Sequence, residues 1–301
     1  MKKVRINEII DLMKSKDISY DLFFSRKLKT GYESFAPNID KQIYDDLSNL
    51  ILNNLKKFEN FEQVKYNPTG YRENTLEICN CDYVGNYSEI TESFLRAETV
   101  ETEIDPDNFS FYCFVVKSKE NDREVKFYRR VTKFKKLSTK GIVARLLGNT
   151  LNKMESKLIG IDGELDIIVY EDNMLILSHY SLERVFSLQD KFYDNAKKFL
   201  EEINSKPLIE NFEEFEEDCL NDGRFTKTLT KMSDEKIYID KLYDKIENIK
   251  KTIDMFELGI KIIDSKIIYE EKNQINDILR ILRDCYYISM INEEKGVDNR
   301  I

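Results

Sequence analysis

The chain has 301 residues, 41% of them hydrophobic, 12% aromatic and 34% charged, with a net charge of −9. That composition excludes wholesale disorder and a uniformly basic surface, and 10 glycines and 4 prolines leave little room for long flexible linkers. No apolar run reaches about 18 residues, so nothing in the sequence reads as a membrane span.

The first residues, MKKVRINEII, are basic and then amphipathic. They lack a continuous apolar stretch and a small-residue cleavage site, so they do not read as a signal peptide. Ile6, Ile9, Ile10 and Met13 fall at helical spacing and predict a helix over 5–15. A short strand near Tyr20–Phe24 follows, and Tyr44, Leu47, Leu50, Ile51, Leu55 and Phe58 predict a second helix over 41–58. The stretch 67–108 carries little periodicity. It opens on the turn signal Asn67-Pro68-Thr69-Gly70 and closes on Asp105-Pro106-Asp107.

Phe109–Val116 reads FSFYCFVV, apolar on both faces, as a central strand buried on both sides reads. Asn121-Asp122 supplies a turn, and Glu124–Thr132 predicts the returning strand of a hairpin. Residues 141–148 form a short helix or a strand. LDIIVY (Leu165–Tyr170) and MLIL (Met174–Leu177) flank Glu171-Asp172-Asn173 and predict a second hairpin. A helix starts near Ser187, with Asp190 as the partner of a partial capping box, and buries Phe192, Ala196, Phe199 and Ile203.

After Pro207 the pattern turns helical. Ile239, Leu242, Ile246, Ile249, Ile253 and Phe256 make a short heptad seam, read as a helical hairpin packed on its own chain in preference to a dimeric coiled coil. A last helix is predicted over 271–290 from Ile275, Ile278, Leu279, Leu282 and Tyr286. The expected fold is α+β, with a mixed, largely antiparallel sheet, flanking helices and a helical C-terminal region. The expected divisions are a mixed region 1–100, an α+β core 101–206 with the basic hairpin, and a helical region 207–301.

Charge is unevenly distributed. Segment 117–157 holds thirteen basic residues against four acidic ones, a balance of +9 that leaves −18 for the rest of the chain. Such asymmetry points to a polyanionic partner. Within it, Lys126, Arg129, Arg130, Lys133, Lys135, Lys136 and Lys140 interleave with Phe127, Tyr128 and Phe134. Cations neutralise phosphates, and aromatic rings stack on open bases. The competing expectation is a solvated strand whose charges pair with the acidic remainder.

Catalytic signals are sparse. Gly163-Glu164-Leu165-Asp166 leading into a strand resembles the first half of a restriction-endonuclease-like metal site, which would use Asp162, Glu164 or Asp166. The second half is missing, because no Glu-x-Lys follows on the next strand. An acidic solvent face of a hairpin is therefore the favoured reading. His179 is the single histidine, which excludes most histidine-based triads and multi-histidine metal sites. Cys79-Asn-Cys81 has no second cysteine pair, so zinc is not expected. The five scattered cysteines suit a reducing cytosol better than a disulfide framework. There is no phosphate-binding loop and no dinucleotide fingerprint. The acids of Glu210–Asp222 form an unrelieved run, a solvated helix face that could also shield the basic segment. No cofactor is expected.

FSFYCFVV, the basic FYRRVTKFKKL, IDGELDIIVYEDNMLIL, the aromatic-rich YSLERVFSLQDKFYDNAKKFLEEI and the closing LRILRDCYYISMI together resemble the KwaB-type subunit of the bacterial Kiwa anti-phage defence system. The resemblance covers about half of the chain, and residues 1–100 take no part in it. It implies a cytoplasmic DNA-binding effector of phage defence, peripheral at the inner membrane through a small membrane subunit, KwaA, and the missing catalytic motifs add the expectation that it is non-catalytic. DNA binding carries over only to the basic cluster just named. The net charge of −9 implies that the basic face must be concentrated, as by a homodimer or higher homo-oligomer. Two further readings stay open: a divergent magnesium-dependent nuclease, and a protein–protein interaction subunit that binds no nucleic acid.

Overall fold

The computed structural model describes residues 3–70, 73–97, 108–131, 144–147, 150–153, 159–237, 242 and 244–298, with 144–147 and 150–153 described by their backbone alone. Lys133, Lys135, Lys136, Lys140, Ile239 and the Asp105–Asp107 turn lie outside the described residues. The chain divides into two units, Met1–Tyr66 with Glu73–Leu188, and Asn67–Arg72 with Gln189–Ile301.

The first unit is built on an eight-stranded sheet in the order β2-β1-β5-β6-β9-β10-β4-β3. Its strands are β1 (Ile18–Lys27), β2 (Tyr32–Phe35), β3 (Glu62–Lys65), β4 (Thr75–Asn80), β5 (Phe111–Ser118), β6 (Glu124–Arg130), β9 (Ile167–Tyr170) and β10 (Asn173–Ile176). All neighbours are antiparallel except β3 and β4. The expected central strand is β5, which sits between β1 and β6 with Phe111 to Val116 all buried. Both expected hairpins are present, β5–β6 in register from Phe111↔Arg130 to Lys117↔Glu124, and β9–β10 closing on Tyr170↔Asn173. The segment 141–148, left open between helix and strand, contains β7 (Ala144–Leu147), paired with β8 (Thr150–Lys153).

Alternation along the strands gives the sheet two different faces. Leu22, Phe114, Val125, Phe127, Ile168 and Leu175 bury themselves together with Ile9, Ile10, Leu47, Ile51 and Leu55 of helices α1 (Ile6–Lys14) and α2 (Lys41–Leu55). Each such side chain contributes about 1.5–3 kcal/mol by leaving water. On the other face Phe23 stacks on Phe94 of α3 (Tyr87–Leu95) at 4.6 Å, and Tyr128 meets Phe186, which ends α4 (His179–Val185), at 5.3 Å. The sheet is thus a middle layer between two helical ones.

The second unit carries α5 (Leu188–Asn204), α6 (Phe212–Leu220), α7 (Gly223–Asp234), α8 (Ile246–Phe256) and α9 (Ile275–Leu282). Phe192, Ala196, Phe199 and Ile203 of α5 are buried, as their spacing requires. The seam residues Ile249 and Ile253 bury into this unit's own core, and residues 244–245 form a turn that interrupts the seam after Leu242. Two sequence expectations need correction here. The region is not almost wholly helical, because β11 (Ile209–Glu210), β12 (Lys261–Ile263) and β13 (Lys266–Ile268) form a small sheet and β14 (Tyr286–Ile288) pairs with β15 (Lys295–Val297). The last helix also ends at Leu282 instead of near 290. Asp284 adopts a left-handed φ of 54°, its N–H bonds the carbonyl of Ile281, and the N–H of Cys285 bonds that of Arg280. That pair of bonds closes a helix C-terminus.

Candidate nucleic-acid interface

Strand β6 sends its basic residues to opposite faces of the sheet. Lys126 lies under α3, with its ammonium paired with Glu124, 3.4 Å from the hydroxyl of Tyr87 and over the Tyr87 ring at 5.9 Å. Its side chain is 13% exposed, so it has little freedom to reach a ligand.

Arg129 is held on the opposite face by two carboxylates. Its Nε donates to Asp162 Oδ1 at 3.0 Å, its Nη2 to Asp162 Oδ2 at 3.3 Å and its Nη1 to Asp166 Oδ1 at 2.9 Å. Burial alone weakens its hold on a proton, and the two carboxylates more than reverse this, leaving its pKa above the ordinary guanidinium value. The surrounding loop is fixed from several sides. Tyr112 donates its hydroxyl to the carbonyl of Asp162 at 2.7 Å, and Asn54 of α2 donates to the carbonyl of Gly163 at 2.6 Å. Position 163 must be glycine, because a Cβ there would sit 2.4 Å from Cβ of Leu50 and 2.9 Å from its backbone. The Gly-Glu-Leu-Asp string therefore has a structural role. Asp162 and Asp166 enclose a guanidinium where a metal site would place a cation, and Glu164 is exposed.

Asp166 does more than bind Arg129. Its side chain is 5% exposed, and its Oδ2 accepts the backbone N–H of Arg130 at 3.1 Å. Its carbonyl accepts the N–H groups of Leu177 and Ser178 at 2.9 and 3.1 Å, just before α4 begins. Ser178 then caps α4 by accepting from the N–H of Ser181. One residue thus fastens the end of β6 to the start of α4. Across that junction the guanidinium of Arg130 lies 4.5 Å from the ring centroid of Tyr180, and that of Arg184 lies 5.5 Å from the same centroid. Tyr180 is 56% exposed. Among the described residues, neither arginine has a carboxylate partner.

Of the seven basic residues singled out from sequence, the structure therefore places Arg130 at an open stack and commits Lys126 and Arg129 to internal ion pairs. The other four lie outside the described residues. Tyr180 and Arg184 escaped the sequence reading. Their only signal is the i, i+4 spacing of an aromatic and a cation in a short helix. The lone histidine pairs with a buried acid, His179 Nε2 to Glu77 Oε2 at 2.5 Å, and Tyr66 packs edge-on against its ring. All five cysteines are buried free thiols, and burial pushes Cys81 up to about 12. Among the described residues, no group of three or more His, Cys, Asp or Glu side chains is placed to hold a metal ion.

Residues 107–292 match the family model described as Kiwa protein KwaB-like, more than half of the chain. The chain belongs to this family. That membership places it in Kiwa anti-phage defence. The match begins just before β5 and includes Arg130, Asp166, Tyr180 and Arg184, while α1, α2 and β1–β4 lie outside it. No curated protein and no solved structure matches the chain. No helix among the described residues is long and apolar enough to cross a membrane.

Proposed function

We propose that this chain is the DNA-holding effector of its defence system, that it acts without cutting DNA, and that it works with a membrane subunit of the KwaA kind. The observation that carries the proposal is the pair of guanidinium groups, Arg130 and Arg184, set over one exposed tyrosine with no described carboxylate to neutralise them. Phosphate binding needs cations of this kind. Strand β6 ends at Arg130, and the sequence continues directly into Lys133, Lys135, Lys136 and Lys140. Self-association would bring several such patches together, which suits a chain of net charge −9.

The nuclease reading loses support because Asp162 and Asp166 are engaged with Arg129. The interaction-subunit reading predicts binding to the membrane subunit and none to DNA.

The test is a salt series of DNA binding with wild type and an Arg130→Glu/Arg184→Glu variant. Reversing Arg129 is unsuitable, because a third acid beside Asp162 and Asp166 would disrupt the loop. The expected result is a large loss of affinity and a slope of log K against log salt shallower by about two. Equal binding by both proteins overturns the DNA reading, and magnesium-dependent cutting by the wild type overturns the non-catalytic part. Co-purification with the neighbouring membrane subunit tests the partner.

A further inference from the structure

We infer that the Arg130–Tyr180–Arg184 stack is a platform for an unpaired base, so that this face prefers single-stranded or opened DNA to an intact duplex. The inference rests on the DNA reading above and adds the form of DNA that the site takes.

Each side chain of the stack contributes something different. Two guanidinium groups suffice for duplex phosphates, and a tyrosine ring adds little there. Inside a duplex both faces of every base are covered by neighbouring bases, so a protein ring has nothing to stack on. An unpaired base offers a free face, and stacking on an aromatic ring is tolerant of sequence. Tyr180 is more than half exposed in a family member whose other large aromatic rings near this corner, Tyr128, Phe111 and Phe186, are fully buried. Its exposure therefore does not follow from a shortage of core space.

The backbones that carry the platform are also tied together. Arg130 is fixed through its backbone N–H on the Asp166 carboxylate, and Tyr180 through Leu177 and Ser178 on the Asp166 carbonyl. Strand and helix are tied to the same residue, so the backbones on either side of the 4.5 Å contact between guanidinium and ring are placed together without a ligand. A preorganised stack loses little entropy when a base joins it. The base stacks on the part of the Tyr180 ring that the two guanidinium groups leave exposed, and the adjoining phosphates fall to Arg130 and Arg184. That division of labour, ring for base and cations for backbone, separates single-strand binding from simple charge attraction.

The probes are a thymidine homopolymer and a relaxed, covalently closed duplex, titrated against the full chain. Wild type should bind the homopolymer more tightly per nucleotide. Tyr180→Ala should weaken homopolymer binding about tenfold or more and change duplex binding by less than about twofold. Tyr180→Phe, which keeps the ring, should stay near wild type. Arg130→Ala/Arg184→Ala should weaken both substrates and flatten both salt slopes. Tyr180 is exposed, so its variants should melt with the wild type, which a thermal scan checks. Equal losses on both substrates, or no loss on the homopolymer with Tyr180→Ala, overturn the platform while leaving DNA binding standing. Failure of wild type to bind either substrate overturns both readings together.

Discussion

Asp166 illustrates how one buried acid can organise a corner of the fold. It accepts one bond from the Arg129 guanidinium, one from the Arg130 N–H, and two more at its carbonyl from Leu177 and Ser178. Bonds to a buried charge are the costly ones to lose, because the donors left behind stay desolvated. Asp166→Ala should therefore cost about 2–3 kcal/mol, read as a lower denaturant midpoint. Arg129 keeps Asp162, which is why the cost stays below that of stripping a buried ion completely. An unchanged midpoint would show that water replaces the carboxylate without penalty. The same variant removes the Asp166 anchor of the Arg130 N–H, so DNA binding on the proposed reading should weaken even though removing an acid ordinarily helps an anion to bind.

Among the elements, legibility followed the length and period of the pattern. The helix Leu188–Asn204 and the two hairpins around Asn121-Asp122 and Glu171-Asp172 were readable because each has a long apolar period or a turn between two alternating runs. The strands after Pro207 were not, since two or three residues such as Ile209–Glu210 or Lys261–Ile263 show no period at all. The parallel pairing of β3 with β4 has no local signal either. In the last helix the apolar stripe itself misled. Tyr286 falls four residues after Leu282 and extends the periodicity, yet it sits in a strand and donates its hydroxyl to Asp277. The basic cluster was readable as charge, but the pairing of Arg129 depends on Asp162 and Asp166, more than thirty residues away in sequence.

Helix α7 gives an element-scale prediction with a defined pH dependence. Its cap, Asp222, accepts from the N–H of Arg224 and from that residue's Nε and Nη2. The Arg224 side-chain bonds, and then its backbone N–H, pull the Asp222 carboxyl down to about 2. A lowered carboxyl pKa stabilises the fold only while the group is ionised there and the unfolded chain would begin to protonate it. The contribution is complete above the ordinary value near 4 and is lost as pH falls towards 2. Asp222→Ala should cost about 1 kcal/mol at neutral pH. The gap between variant and wild type should narrow as pH is lowered through that window, provided the melts remain reversible. A gap constant down to pH 2 would mean the cap acts through shape alone.

At the scale of the whole molecule, the proposed DNA-binding patch has to work on a protein whose net charge is −9. Segment 117–157 carries +9 and the remainder −18, so on that reading the field of the protein's net charge opposes the approach of DNA. The acidic run Glu210–Asp222 is the densest source of that field. Deleting it would be a poor test, because Phe215 and Cys219 within it are fully buried. Its acids Glu213, Glu214 and Glu217 are exposed on α6 and can be neutralised in place. A Glu213→Gln/Glu214→Gln/Glu217→Gln variant has a net charge of −6 instead of −9. Two of these acids lie in the first turn of α6, where carboxylates suit the helix dipole, so about 0.5 kcal/mol of stability should be lost. DNA association should nonetheless be faster by roughly two- to fivefold at low ionic strength. The advantage should vanish near 1 M salt, where the screening length falls to about 3 Å. No gain at low salt would retire the acidic run as a brake. A gain that survived high salt would equally retire the long-range field, because distant charge is screened away there.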